Sequence, residues 1–193
     1  IAGVLLDAGN AQSLDVTFTP TDSANYNTAV GSVSINVLKA DPVIAWNDPA
    51  DIVFGTLLNE TDHLNATANV LGQFAYTPDI GTQLAAGSGQ AISVTFTPTS
   101  PNYNPTVATV SINVLKADPV IAWNNPADIP FDTPLGATQL NATSNTDGTF
   151  VYTPPAATVL ARGNSQLLSV DFTPAFPGNF NNASASVAIN VVK

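Results

Sequence analysis

Cysteine and methionine are both absent from these 193 residues, histidine occurs once, and lysine and arginine together only four times. Each shortage removes a class of chemistry. Without cysteine there is no disulfide framework, no thiolate metal site and no cysteine nucleophile. One histidine cannot assemble a multi-histidine metal centre. Lys39, Lys116, Arg162 and Lys193 are scattered, whereas phosphate recognition needs clustered cations, so no nucleic-acid partner is expected. Glutamate is confined to Glu60, and charged residues make up 9% of the chain against about 25% in an ordinary soluble domain. No apolar run reaches the roughly 18 residues of a membrane span. With no methionine and no signal peptide, the expectation is a piece excised from a longer chain.

What remains is apolar and β-prone. Hydrophobic residues reach 45%, in short bursts separated by Thr, Asn and Ser, with 15 prolines and 12 glycines as punctuation. That mixture favours strands and turns, and no segment sustains a 3.6-residue apolar period. Fourteen acids against four bases leave a formal charge of −10. The predicted class is all-β.

A repeat organises the chain. The segment Lys39-Ala40-Asp41-Pro42-Val43-Ile44-Ala45-Trp46 returns 77 residues later as Lys116-Ala117-Asp118-Pro119-Val120-Ile121-Ala122-Trp123, and Lys193 falls a further 77 residues on. Val94-Thr95-Phe96-Thr97-Pro98 has counterparts at Val16–Pro20 and Val170–Pro174, and Ser111-Ile112-Asn113-Val114 at Ser34–Val37 and Ala188–Val191. The division is therefore a C-terminal half copy at 1–38 and complete copies at 39–115 and 116–193. Ile92, Val94 and Phe96 alternate with Ser93, Thr95 and Thr97, the period of a strand with one face in a core. Further strands are predicted near Val43–Trp46, Asp51–Phe54, His63–Ala68, Gln73–Tyr76, Gln83–Ala85 and Val110–Val114. About seven short strands per copy suit a small two-sheet sandwich.

The repeat resembles the bacterial immunoglobulin-like domains found in tandem in large secreted and cell-surface proteins. Asn25-Tyr26-Asn27, Asn102-Tyr103-Asn104 and the variant Asn179-Phe180-Asn181 carry the resemblance, with the Val-Thr-Phe-Thr-Pro strand and the Lys-Ala-Asp-Pro junction. It implies immunoglobulin-like β-sandwiches arranged end to end as a rod, and a role as spacer or adhesive segment. Tyr26 and Tyr103 resemble the tyrosine of an immunoglobulin-type corner, whose hydroxyl bonds to nearby backbone. Phe180 lacks that hydroxyl.

Each candidate site has a structural reading beside the functional one. Trp46 and Trp123 are either stacking platforms for sugars or packing residues at the end of each sandwich. Pro42 and Pro119 suit a strand entry or edge, and the short linker has no Gly/Ser run, so limited bending is expected. Calcium at the junctions would need converging carboxylates. Asp41, Asp48 and Asp51 form one set and Asp118 and Asp128 the other, but Asp48 becomes Asn125 and no Asp-x-Asp-x-Asp run occurs. The expectation is turn and strand-end acids with no cofactor. Lys39, Lys116 and Lys193 raise an isopeptide crosslink to asparagine; as exposed residues they would not form one. Gly87-Ser88-Gly89 lacks the nucleophile-elbow frame and reads as a turn. His63 aligns with Gln139 and reads as a solvent-facing strand residue.

No catalytic constellation emerges, so no enzyme is expected. The leading expectation is a non-enzymatic stalk or spacer of a large bacterial extracellular or cell-surface protein, with neighbouring repeats as its partners and a surface glycan or protein as ligand. Two alternatives stand beside it. The half copy leaves Leu14, Val16, Phe18, Val33, Ile35 and Val37 without a covering half, which suggests a filament whose copies exchange strands. The paired tryptophans suggest a carbohydrate-binding module.

Overall fold

The computed structural model describes residues 3–193, and every regular element in them is a strand. In chain order these are β1 (Gly9–Phe18), β2 (Ala29–Val37), β3 (Ile44–Ala45), β4 (Ile52–Val53), β5 (Thr67–Ala68), β6 (Gly72–Thr77) and β7 (Gly87–Pro98). There follow β8 (Thr106–Leu115), β9 (Ile121–Ala122), β10 (Ile129–Pro130), β11 (Thr143–Ser144), β12 (Gly148–Thr153), β13 (Gly163–Pro174) and β14 (Ala183–Val192). The protein is all-β. Two compact units are present. One holds residues up to Pro49 together with Asn59–Ile80 and Ala91–Ser111; the other holds Ala50–Leu58, Gly81–Gln90 and Ile112–Lys193.

In the second unit a four-stranded sheet runs in the order β10-β14-β13-β12. Alternation in Leu168-Ser169-Val170-Asp171-Phe172 turns the three apolar side chains to one face, where all are buried, and Ser169 and Asp171 to the other. β14 lies antiparallel to β13, with Leu168 opposite Val187, and adds Val187, Ile189 and Val191 to that face. The outer edge of β14 takes β10 in parallel, Ile129 beside Val191. Ile129, Leu135, Leu140 and Leu160 complete the core, with Trp123 and Tyr152 packed against it. Burying each such Leu or Val contributes about 1.5–3 kcal/mol, which a unit without disulfides needs.

The first unit contains the hairpin β1-β2, with Leu14 opposite Val33 and Phe18 opposite Ala29. It also contains the antiparallel pairing of β6 with β7, Phe74 beside Phe96. Strands β4-β8-β7-β6 repeat the sheet order of β10-β14-β13-β12, and Ile52 lies parallel to Val114 as Ile129 does to Val191.

The long strands match the period-two segments in the sequence; the short ones differ. Of Val43–Trp46 only Ile44–Ala45 is a strand, of Asp51–Phe54 only Ile52–Val53, and of His63–Ala68 only Thr67–Ala68. Gln83 forms a single bridge with Leu57. Residues 60–64 form a turn, and its capping hydrogen bonds claim the side chain that the alternation would have sent to solvent.

Candidate functional site

The Asn-aromatic-Asn loops of the complete copies bond to segments distant in sequence. In each complete copy a turn before the last strand points two asparagines in different directions. Tyr103 N–H donates to Ser100 O at 3.3 Å, and Phe180 N–H to Phe176 O at 3.2 Å. The loop backbone grips the linker: Ala40 N–H donates to Asn102 O and Asn104 N–H to Ala40 O, both at 2.9 Å. Ala117 is held the same way, donating to Asn179 O at 3.0 Å and accepting from Asn181 N–H at 2.9 Å. The second asparagine then fixes the linker acid, Asn104 Nδ2 to Asp41 Oδ1 and Asn181 Nδ2 to Asp118 Oδ1, both at 2.7 Å. Pro42 and Pro119, next in sequence, are buried. The Lys-Ala-Asp-Pro segment is thus a strap.

The first asparagine reaches across a sequence junction. Asn102 Oδ1 accepts from Ala8 N–H and its Nδ2 donates to Asp7 Oδ1, both at 2.8 Å. Asn179 Oδ1 accepts from Ala86 N–H at 2.9 Å. Beside that contact Phe180 packs edge-on to Phe54, with centroids 5.3 Å apart, and Lys116 Nζ donates to Pro177 O at 2.7 Å. A phenylalanine serves here where the other copies carry tyrosine, because the ring edge makes the contact and no hydroxyl is involved.

The remaining candidate acids are engaged one by one. Asp48 Oδ1 accepts from Ser111 N–H at 2.8 Å, and Asn125 takes the same place towards Ala188 N–H at 3.0 Å. Asp51 accepts from Asn113 Nδ2 and Asp128 from Asn190 Nδ2, both at 2.9 Å. Each carboxylate has its own partner, and no group of three or more His, Asp or Glu able to hold a metal ion occurs among the described residues.

Asn113 and Asn190 also work from their other end. Asn113 Oδ1 accepts from Gly89 N–H and Asn190 Oδ1 from Ser165 N–H, both at 2.8 Å; Asn36 does the same for Ala11. These three donors share one slot, a bulge at the start of the long strand, with φ of 61°, 52° and 53°. That left-handed conformation costs a non-glycine residue about 1–2 kcal/mol, so Ser165 and Ala11 depend on the captured amide. The Gly87-Ser88-Gly89 segment is part of this bulge.

Trp46 and Trp123 are half-buried, each edge-on to a tyrosine, Tyr76 at 5.5 Å and Tyr152 at 5.4 Å. Their indole N–H groups donate to His63 O and Gln139 O at 3.0 Å. His63 corrects the sequence reading: only 4% exposed, it accepts at Nδ1 from Asn59 N–H at 3.1 Å. Gln139 does the equivalent work, its Oε1 accepting from Gly136 N–H at 3.0 Å. The Gln139 alignment was the available signal, since an amide in the same slot points to a shared cap. Sequence reasoning also missed Asn102, Asn104, Asn113, Asn179, Asn181 and Asn190 as individual actors, although each recurs at a fixed repeat position.

Tyr26 is exposed and Tyr103 half-buried. The hydroxyls that take a backbone amide belong instead to Tyr76, from Ala66 N–H at 3.0 Å, and Tyr152, from Ala142 N–H at 2.9 Å. Burial pushes the Tyr76 phenol above its ordinary value, the Ala66 amide opposes this, and the negative charge of Glu60 adds to the rise. Tyr76 lines a cleft of about 510 Å³ with Leu64, Phe74, Glu60 and Asp79. Its hydroxyl is already committed as an acceptor, and both acids are exposed. No protein-family model matches the chain, and neither does any curated protein.

Proposed function

We propose that this chain is a non-enzymatic structural and adhesive repeat segment, a stalk or spacer of a large bacterial extracellular or cell-surface protein. Its complete copies at 39–115 and 116–193 act as immunoglobulin-like sandwiches set end to end as a rod. One observation carries this reading: the conspicuous polar side chains are consumed in fixing backbone, at the same slots in both copies. Asp41 and Asp118 hold the linker strap, Asp51 and Asp128 the bulge asparagines, and Asn102 and Asn179 reach the amides of Ala8 and Ala86. Side chains committed in this way position the chain, as a spacer requires.

Small-angle scattering is the test. A spacer of this kind gives a single elongated length that rises additively when a further copy of residues 116–193 is appended. An Asn102→Ala, Asn179→Ala double variant broadens that distribution. Freely reorienting domains in the unaltered chain would overturn the proposal.

A further inference from the structure

Trp123 lines a cleft of about 380 Å³ together with Asn124, Asn125, Thr138, Asn141 and Thr143, and none of its lining residues is charged. The indole is fixed before any ligand arrives. Its N–H donates to Gln139 O at 3.0 Å, and Tyr152 packs against it with centroids 5.4 Å and planes 70° apart. Asn125 gives its Oδ1 to Ala188 N–H at 3.0 Å, and Asn141 gives its Nδ2 to Thr138 O at 3.2 Å. The other ends of these two amides are a donor on Asn125 and an acceptor on Asn141. Asn124 and Thr138 add exposed side chains that can both donate and accept. The opening belongs to the copy and not to its place in the chain. Trp46 is half-buried and Asn47, Asp48, Asp62, Asn65 and Thr67 are exposed, as their counterparts are, although a further copy follows them. Two of these positions differ in charge, Asp48 standing for Asn125 and Asp62 for Thr138.

We propose that this cleft binds a neutral saccharide, with Trp123 as the platform for one pyranose ring. Such a ring has an apolar C–H face and a rim of hydroxyls. The electron-rich face of an indole attracts the C–H side. Each hydroxyl both donates and accepts, which Asn125 Nδ2 and Asn141 Oδ1 match from the two ends of an amide. A sugar acid would leave its carboxylate without a cation in an uncharged lining, at a cost in desolvation. An extended peptide would pair along a strand edge, whereas the polar groups here converge from residues 122–125 and 138–143 around one aromatic ring. The ring is held in place by Gln139 and Tyr152, so little ordering remains to be done on binding. The site goes beyond the spacer role and stands without it.

The test titrates the full 193-residue chain with neutral tetrasaccharides of glucose, mannose, galactose and N-acetylglucosamine. A galacturonate tetramer and a proline-rich peptide serve as comparators. The two tryptophans give two indole N–H signals in proton–nitrogen NMR, which Trp123→Phe assigns. At least one neutral sugar should shift the Trp123 signal and the Asn125 and Asn141 side-chain amides saturably, with a Kd of about 1 mM, while the Trp46 signal stays in place. An Asn125→Asp, Thr138→Asp double variant gives the cleft the residues of the other copy. An aspartate at the first position keeps the backbone bond, as Asp48 does with Ser111 N–H, so the fold should persist while binding weakens about tenfold. No shift of the Trp123 signal with any neutral sugar overturns the proposal, and so does unweakened binding by the double variant. An equal shift at Trp46 overturns it because the charge of the lining would then not matter. A response confined to galacturonate or to the peptide would make the occupant an anion or a polypeptide and overturn it as well.

Discussion

His63 is held by one backbone donor and one side-chain donor. Its ring nitrogen accepts from Asn59 N–H while its carbonyl oxygen accepts from the Trp46 indole. Replacing the ring with a methyl group leaves a poorly hydrated N–H without a partner, at about 1–3 kcal/mol. His63→Ala should therefore lower the thermal stability of its unit, and His63→Gln should lose less, because Gln139 performs this task in the other copy. Equal losses in the two variants would contradict the capping role. Tyr76 gives a pH dependence. Its phenol titrates above the ordinary value of about 10 because burial disfavours the anion. The stabilisation is thus complete below the unfolded value and is lost as pH rises through the folded one. Alkaline melts should fall more steeply for the native chain than for Tyr76→Phe; superimposable curves would count against it. His63 was illegible because nothing in residues 63–68 marks the turn whose backbone hydrogen bonds to Asn59 O bury it.

Among the elements, the long strands were readable because their alternation is the physical cause of their burial: one face must enter a core. Two-residue strands such as β3, β4, β9 and β10 carry too few positions for any period. They are fixed by the strand they pair with rather than by propensity. Gly148 reveals another constraint hidden in the sequence. A methyl group there would meet the Phe172 ring and the Thr173 carbonyl oxygen, and Gly72 stands in the same relation to Phe96 and Thr97. Gly148→Ala should cost about 1–3 kcal/mol through overpacking, read as a lowered urea midpoint. Asn190→Ala removes the partners of both Ser165 N–H and Asp128 at once. Its cost should be about 1–3 kcal/mol, with exchange at Ser165 and Gln166 accelerating before the rest of the sheet. Unchanged local exchange would show that the bulge persists without its clasp.

For the whole molecule, the shortage of charge has a structural counterpart. Asn and Asp side chains supply hydrogen bonds at junctions, bulges and strand edges, and the four cations are left dispersed. The period of 77 residues and the all-β class were legible at once. How the asparagines divide their labour was not, because their side chains pair with backbone amides and aspartates distant in sequence. Asn102 and Ala8, for example, are 94 residues apart. The proposed spacer role requires each complete copy to carry load as a repeat. Stretching a single chain from its two ends tests it most directly. The account predicts two separate force peaks, each releasing about 25 nm of contour length, the extension of one 77-residue copy. One undivided release of about twice that length, or extension without peaks, would contradict it.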